Sequence, residues 1–205
     1  MERLTADKPL TTFALYKPFG VLSQFRSEGN RPGLETLNLG LPKDVWPVGR
    51  LDADSEGLLL LTNDMRLRTE LTEPRFGHSR TYHIQVEGDA GDEQVHQLTQ
   101  PMVLRINKRD VVTLPADVER MNEPTELPER NPPIRFRKSI PTSWLKMVLR
   151  EGKNRQVRRM TAAAGLPTLR LVRTGVGSLD LTSLCIHAGE QVQLTAAQIR
   201  STRTS

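Results

Sequence analysis

Period-two patterning of side chains marks several stretches of the chain as strands. Thr12–Lys17 sets Phe13 and Leu15 on one face and Ala14 and Tyr16 on the other, and Arg80–Glu87 gathers Tyr82, Ile84 and Val86 on one face, so both segments predict strands. Leu58–Leu61 is an unbroken apolar run instead, the pattern of a strand buried on both faces. Further strands are predicted within Val103–Arg120, over Trp144–Arg150 with Leu145, Met147 and Leu149 inward and Lys146 and Arg150 outward, over Thr168–Arg173 and over Gln191–Leu194. Helical spacing is shorter-lived. Leu67 and Leu71 predict a helix capped by Asn63 or Asp64 and stopped by Pro74, and Val95 and Leu98 predict another within Gly91–Pro101. Asn154 is expected to cap a helix that closes at Gly165, with Val157, Met160, Thr161 and Ala164 on one stripe and Arg155, Arg158, Arg159 and Ala162 on another. Thr195 with Gln198 predicts a capping box for a short last helix. Phe25–Lys43 and Met121–Pro141 are rich in glycine or proline and read as loops, the first with one short helical turn at Leu34–Leu37.

A length of 205 residues suits one sizeable domain or two halves sharing a core. No apolar run approaches the length of a membrane-spanning helix, and Met1–Leu10 lacks the apolar core of a signal peptide, so a cytoplasmic protein without a membrane partner is expected. The lone Cys185, between Leu184 and Ile186, is expected to be a buried structural thiol. Histidines 78, 83, 96 and 187 lack ligand spacing, so no metal site is expected. The net charge of +5 is unevenly spread: Arg130–Arg159 holds ten Lys or Arg against the single acid Glu151, whereas Glu87–Glu126 holds nine acids and four bases. A surface that tracks a phosphate backbone has such a footprint, and a solvated basic face would share it.

The most distinctive stretch is Gly49-Arg50-Leu51-Asp52-Ala53-Asp54-Ser55-Glu56-Gly57, which runs straight into the leucine strand. Asp52 sits on a segment bracketed by glycines and backed by a rigid strand, a placement suited to a catalytic carboxylate. On residue types alone a solvated acidic turn accounts for it more simply, and a magnesium site is weaker, since the remaining ligands are missing.

Gly49-Arg50-Leu51-Asp52 with Glu56-Gly57-Leu58-Leu59-Leu60-Leu61-Thr62 resembles the signature of the RNA pseudouridine synthases, in particular the group that modifies ribosomal RNA. Other segments follow in family order: Lys17-Pro18-Phe19-Gly20, with Tyr16 where asparagine is usual; Arg80-Thr81-Tyr82, with Arg80 for the usual lysine; Glu151-Gly152-Lys153-Asn154-Arg155-Gln156-Val157-Arg158-Arg159; and Leu169–Gly177. Asn131–Lys146 is similar to one subgroup that acts on large-subunit (23S) ribosomal RNA.

The resemblance implies an α+β pseudouridine synthase fold, with a mainly antiparallel central sheet of two related halves, flanking helices and a cleft across the middle. It implies one catalytic domain over residues 12–198 between a flexible N-terminal tail at 1–11 and a C-terminal tail at 199–205, no additional N-terminal RNA-binding (S4) domain and no cofactor; a monomer is the default expectation. Asp52 would be the catalytic residue. Arg50, Tyr82, Arg155, Arg158 and Leu171 would bind the substrate, with Tyr82 stacking on the target base and Arg158, or failing that Arg155, pairing with Asp52. Arg135, Arg137, Lys138, Lys146, Lys153, Asn154 and Arg159 would contact RNA. Another ribosomal or transfer RNA site, or a non-catalytic ribosome-assembly factor, are the alternative readings.

Overall fold

The computed structural model describes residues 8–134 and 140–203. In chain order the elements are β1 (Thr12–Lys17), β2 (Trp46–Pro47), β3 (Glu56–Thr62), α1 (Met65–Thr72), β4 (Arg80–Glu87), α2 (Asp92–Thr99), β5 (Val103–Ile106), β6 (Arg109–Val112), β7 (Asp117–Met121), β8 (Thr142–Leu149), α3 (Gln156–Ala163), β9 (Thr168–Val176), β10 (Leu179–Asp180), β11 (Gln191–Gln193) and α4 (Ala196–Ser201). Short 3₁₀ turns lie at Leu34–Leu37, Pro74–Phe76 and Thr182–Leu184.

One long sheet carries the fold in the order β11-β1-β3-β9-β4-β8-β7, with β2 added on β3, β10 on β9, and β5-β6 forming a separate hairpin. Its pairings are antiparallel except where β3 meets β9, and there only Glu56 with Val172 and Gly57 with Arg173 are in register. The expected mixed fold, a mainly antiparallel sheet flanked by helices, is the one found. Gly57 makes the seam possible. It lies at φ +104°, and a Cβ on it would stand 2.2 Å from the carbonyl oxygen of Arg173.

The leucine run is buried on both faces, as its lack of alternation predicts. Leu58 and Leu60 pack with Ala14, Tyr16 and the α1 residues Leu67 and Leu71, while Leu59 and Leu61 face Phe13, Leu15, Leu34 and Leu51. Fully burying one such side chain stabilises the fold by about 1.5–3 kcal/mol. On the other side of the seam, Tyr82, Ile84, Leu145, Met147 and Leu171 of the sheet are covered by Leu98 of α2 and by Val157 and Met160 of α3.

Helix termini follow from their sequences in two cases. Asp64 accepts from the N–H groups of Arg66 and Leu67 to start α1, and Thr195 and Gln198 form the capping box of α4. The third departs from expectation: Arg155, not Asn154, is the N-cap of α3, with a left-handed backbone at φ 51° and no side-chain cap. The turn is closed instead by the Gln156 side chain, which accepts from Lys153 N–H and donates to Glu151.

Two further expectations are corrected. Cys185 is exposed, because it ends a 3₁₀ turn in the left-handed region while its neighbour Leu184 is buried. Part of the expected C-terminal tail is structured: α4 extends to Ser201, whose carbonyl accepts from Ser178 N–H at 2.9 Å.

Candidate active site

Asp52 begins a tight turn in which Ser55 N–H donates to its carbonyl at 3.0 Å. The preceding residue anchors that turn. The Ser23 hydroxyl accepts from Leu51 N–H at 2.9 Å and donates to the Leu51 carbonyl at 2.8 Å, so one side chain satisfies both buried backbone groups. Gly20 N–H reaches the carbonyl of Ala53 at 2.7 Å. The Lys17–Ser23 segment is therefore the cradle of the Asp52 turn. Lys17 belongs to the same cradle: wholly buried, it donates to the carbonyls of Pro18 and Val21 at 2.9 and 2.7 Å. Burial pushes its ammonium down to about 8, although Glu56, Asp54 and Asp52 oppose that fall.

The three acids of the signature meet arginines from the start of α3 and from β9. Arg155 touches Asp52 at 3.4 Å and holds both oxygens of Asp54, at 3.1 and 2.8 Å. Arg158 lies 3.4 Å from the Asp54 carboxylate, and its carbonyl partners are Asp54 and Thr168. Glu56 and Arg170, both buried, form a two-pronged pair at 2.9 Å on each side. Burial alone would raise the Asp54 carboxyl, but its hydrogen bonds from Arg155 and the charge of Arg158 outweigh that and hold it below the usual carboxylate range. The contact with Asp52 is thus made by Arg155 and not by the first choice, Arg158. The left-handed Arg155 leaves the helical path and swings toward the signature, whereas Arg158 is drawn to Asp54.

Asp52 opens into a cleft of about 520 Å³ that runs along the seam. Arg50, Tyr82, Arg155 and Leu171 line it with Asp52, drawn from four separate segments of chain. Lys153 and Asn154 lie on its rim, and Lys153 is paired with Glu151. Arg173, which sequence reasoning passed over, lines it as well.

Other expected contacts fall elsewhere. Lys146 projects from β8 on the face opposite Met147 and pairs with Glu119 at 2.9 Å, outside the cleft. Arg159 donates to the carbonyls of Arg105 and Asn154, so the three guanidiniums expected on one face diverge. Arg135, Arg137 and Lys138 lie outside the described residues. Before them in the chain, Arg130 stacks 4.3 Å over the Phe19 ring, and the Pro128 carbonyl accepts from Arg170.

The separation of acids from bases along the chain is bridged in space at two points where β7 pairs with β8. Glu119 and Asp117 of β7 meet Lys146 and Arg150. Among the described residues no group of His, Cys, Asp and Glu side chains converges to hold a metal, and no helix is long and apolar enough to cross a membrane.

Residues 11–163 match the family model described as RNA pseudouridylate synthase. Among curated proteins, the chain is 49% identical over 170 residues to "Ribosomal large subunit pseudouridine synthase E" of Xanthomonas campestris pv. campestris, covering 83% of this chain and 89% of that protein. It is 47% identical over 179 residues to the protein of the same name from Vibrio parahaemolyticus, covering 87% and 72%. Against "Ribosomal large subunit pseudouridine synthase B" of Bacillus subtilis identity is 32% over 191 residues, covering 93% and 70%. A crystal structure of a pseudouridylate synthase superposes with a TM-score of 0.75 over 97% of this chain and 76% of that one, at 24% identity, a likeness of fold.

Proposed function

The chain belongs to the RNA pseudouridylate synthase family, and from that premise we propose that it converts a uridine of large-subunit (23S) ribosomal RNA to pseudouridine, with Asp52 as the reacting carboxylate. The RNA class is carried over from the names of the relatives. One observation supports the chemistry above all: Asp52, Arg155, Tyr82 and Leu171, distant in sequence, line the same cleft.

In this reading the target uridine leaves its stack and enters the cleft, at an unstacking cost of about a few kcal/mol that phosphate contacts offset. The cleft volume of about 520 Å³ falls in the range of small-ligand sites. Tyr82 and Leu171 offer the base an aromatic and an apolar surface, and Arg50, Lys153 and Asn154 at the rim meet the backbone. The N1–C1′ bond breaks, the base turns, and C5 takes the place of N1 on C1′ as the C5 proton leaves and N1 takes one up. Asp52 either bonds to C1′, as in a retaining glycosidase, or supports a glycal route. Atoms and oxidation state are conserved overall, so the reaction balances without a redox cofactor. Arg155 keeps the carboxylate oriented, and Arg158 fixes Asp54 behind it.

A pseudouridine map of large-subunit ribosomal RNA from cells lacking the gene, complemented with wild type or Asp52→Ala, tests this reading. One site restored by the wild type alone is the expected result. Restoration by both removes Asp52 from the chemistry, and no missing site at all overturns the assigned RNA class.

A further inference from the structure

β9 carries two buried arginines whose surroundings differ. Arg170 is matched by Glu56 through two hydrogen bonds of 2.9 Å. Arg173 is 5% exposed, and among the described residues no carboxylate pairs with it. Its Nε donates to the Leu58 carbonyl at 2.8 Å, and the Tyr82 phenol lies against it. Burial pushes its guanidinium down, with Tyr82 opposing and Arg80 adding to the fall.

A guanidinium offers five N–H donors, and the contacts with the Leu58 carbonyl and the Tyr82 phenol use two. A buried cation without a carboxylate is costly to keep unless something else meets its remaining donors. Position suggests what does. Arg173 lines the cleft together with Leu171, and its register partners are Tyr82 on β4 and Gly57 on β3. It therefore stands beside the aromatic surface assigned to the base, in the same cleft as Asp52.

We infer that Arg173 is a substrate-binding cation that grips a carbonyl oxygen of the flipped uracil and takes up the charge appearing on the ring as the N1–C1′ bond breaks. This rests on the reading given under Proposed function. When that bond breaks its electron pair stays with the base and spreads over N1, O2 and O4, while C1′ is taken by an Asp52 oxygen or, in the glycal route, loses a neighbouring proton. The uracil anion then turns, C5 bonds to C1′ as the Asp52 oxygen leaves or, in the glycal route, as the sugar regains its proton, and the C5 proton departs while N1 takes one up, so the composition is unchanged. A preformed donor in a water-poor site stabilises such an anion more than it does the neutral base, which is the condition for speeding the step.

The test is single-turnover conversion of a large-subunit ribosomal RNA transcript carrying uridine, 2-thiouridine or 4-thiouridine at the converted position. Arg173→Met should slow the chemical step about a hundredfold, with RNA affinity unchanged. Sulfur accepts hydrogen bonds poorly, so one of the two thio substrates should slow the wild type about tenfold and slow Arg173→Met no further. Arg173→Lys, which keeps the charge and loses the fork, should fall between. Additive losses in the variant, or a wild type indifferent to both sulfurs, would overturn the inference. The wild-type series decides even if Arg173→Met does not fold. Failure of the wild type on the unmodified transcript would instead sink the proposed activity, and this inference with it.

Discussion

Arg155 gives Asp54 two hydrogen bonds, at 3.1 and 2.8 Å, and reaches Asp52 through a single contact of 3.4 Å. Asp54 thereby decides where the guanidinium sits and leaves Asp52 lightly held. Asp54→Ala frees the fork to close on Asp52, and single-turnover rates should fall about tenfold, since misplaced groups at a reacting centre are costly. RNA affinity should hold, and Asp54→Glu should recover part of the rate. A loss confined to affinity would contradict this role.

Ser23 bridges both backbone groups of Leu51. Ser23→Ala leaves a buried N–H and C=O without a partner, at about 1–3 kcal/mol, and loosens the turn that carries Asp52. Urea unfolding should show the loss in stability, and activity should drop in conditions where the variant is still folded.

Gly57 has no room for a side chain and a φ that disfavours one. Gly57→Ala must push β3 from β9, so a loss of roughly 3 kcal/mol or more is expected. In a chain of this size that lowers the melting temperature by about 6–12 °C. Calorimetry of the variant checks it, and an unchanged melting temperature would rule out the seam as described.

Lys17 has a folded-state value near 8 against an ordinary 10.5, chiefly through burial. Between those two pH values the unfolded chain binds the extra proton, so stability rises with pH across that window. Below pH 8 the full penalty, roughly 3 kcal/mol, is present. Denaturation midpoints should rise through the window for the wild type, and the difference from Lys17→Met isolates this group. A wild-type curve parallel to the variant's would refute it.

Strands and signature were legible because their information is local. The alternation of Arg80–Glu87, the four leucines and the capping box at Thr195 each need only a few neighbouring residues. What escaped depends on partners far away. Helical spacing counted from Asn154 put Arg155, Arg158 and Arg159 on one face, but a single left-handed residue at the helix start turned Arg155 toward Asp52 and Asp54. Charge segregation along the chain became charge pairing once β7 lay beside β8. A lysine at the end of an alternating strand gave no sign of being buried, and Arg173 looked like one more base in a basic chain.

The junction of β3 and β9 is two residue pairs wide, and among the described residues it is the one place where neighbouring strands of the sheet run the same way. Strands that part after two pairs leave a gap whose position belongs to the backbone. Side chains around that gap can then change without moving it. Asp52 lies four residues before the junction, Leu171 stands just before it on β9 and Arg173 is part of it, so the proposed reacting group and the groups proposed to meet the base sit on different segments of backbone. Substitutions in the β9 wall of the cleft leave untouched the contacts from Ser23 and Gly20 that hold the Asp52 turn.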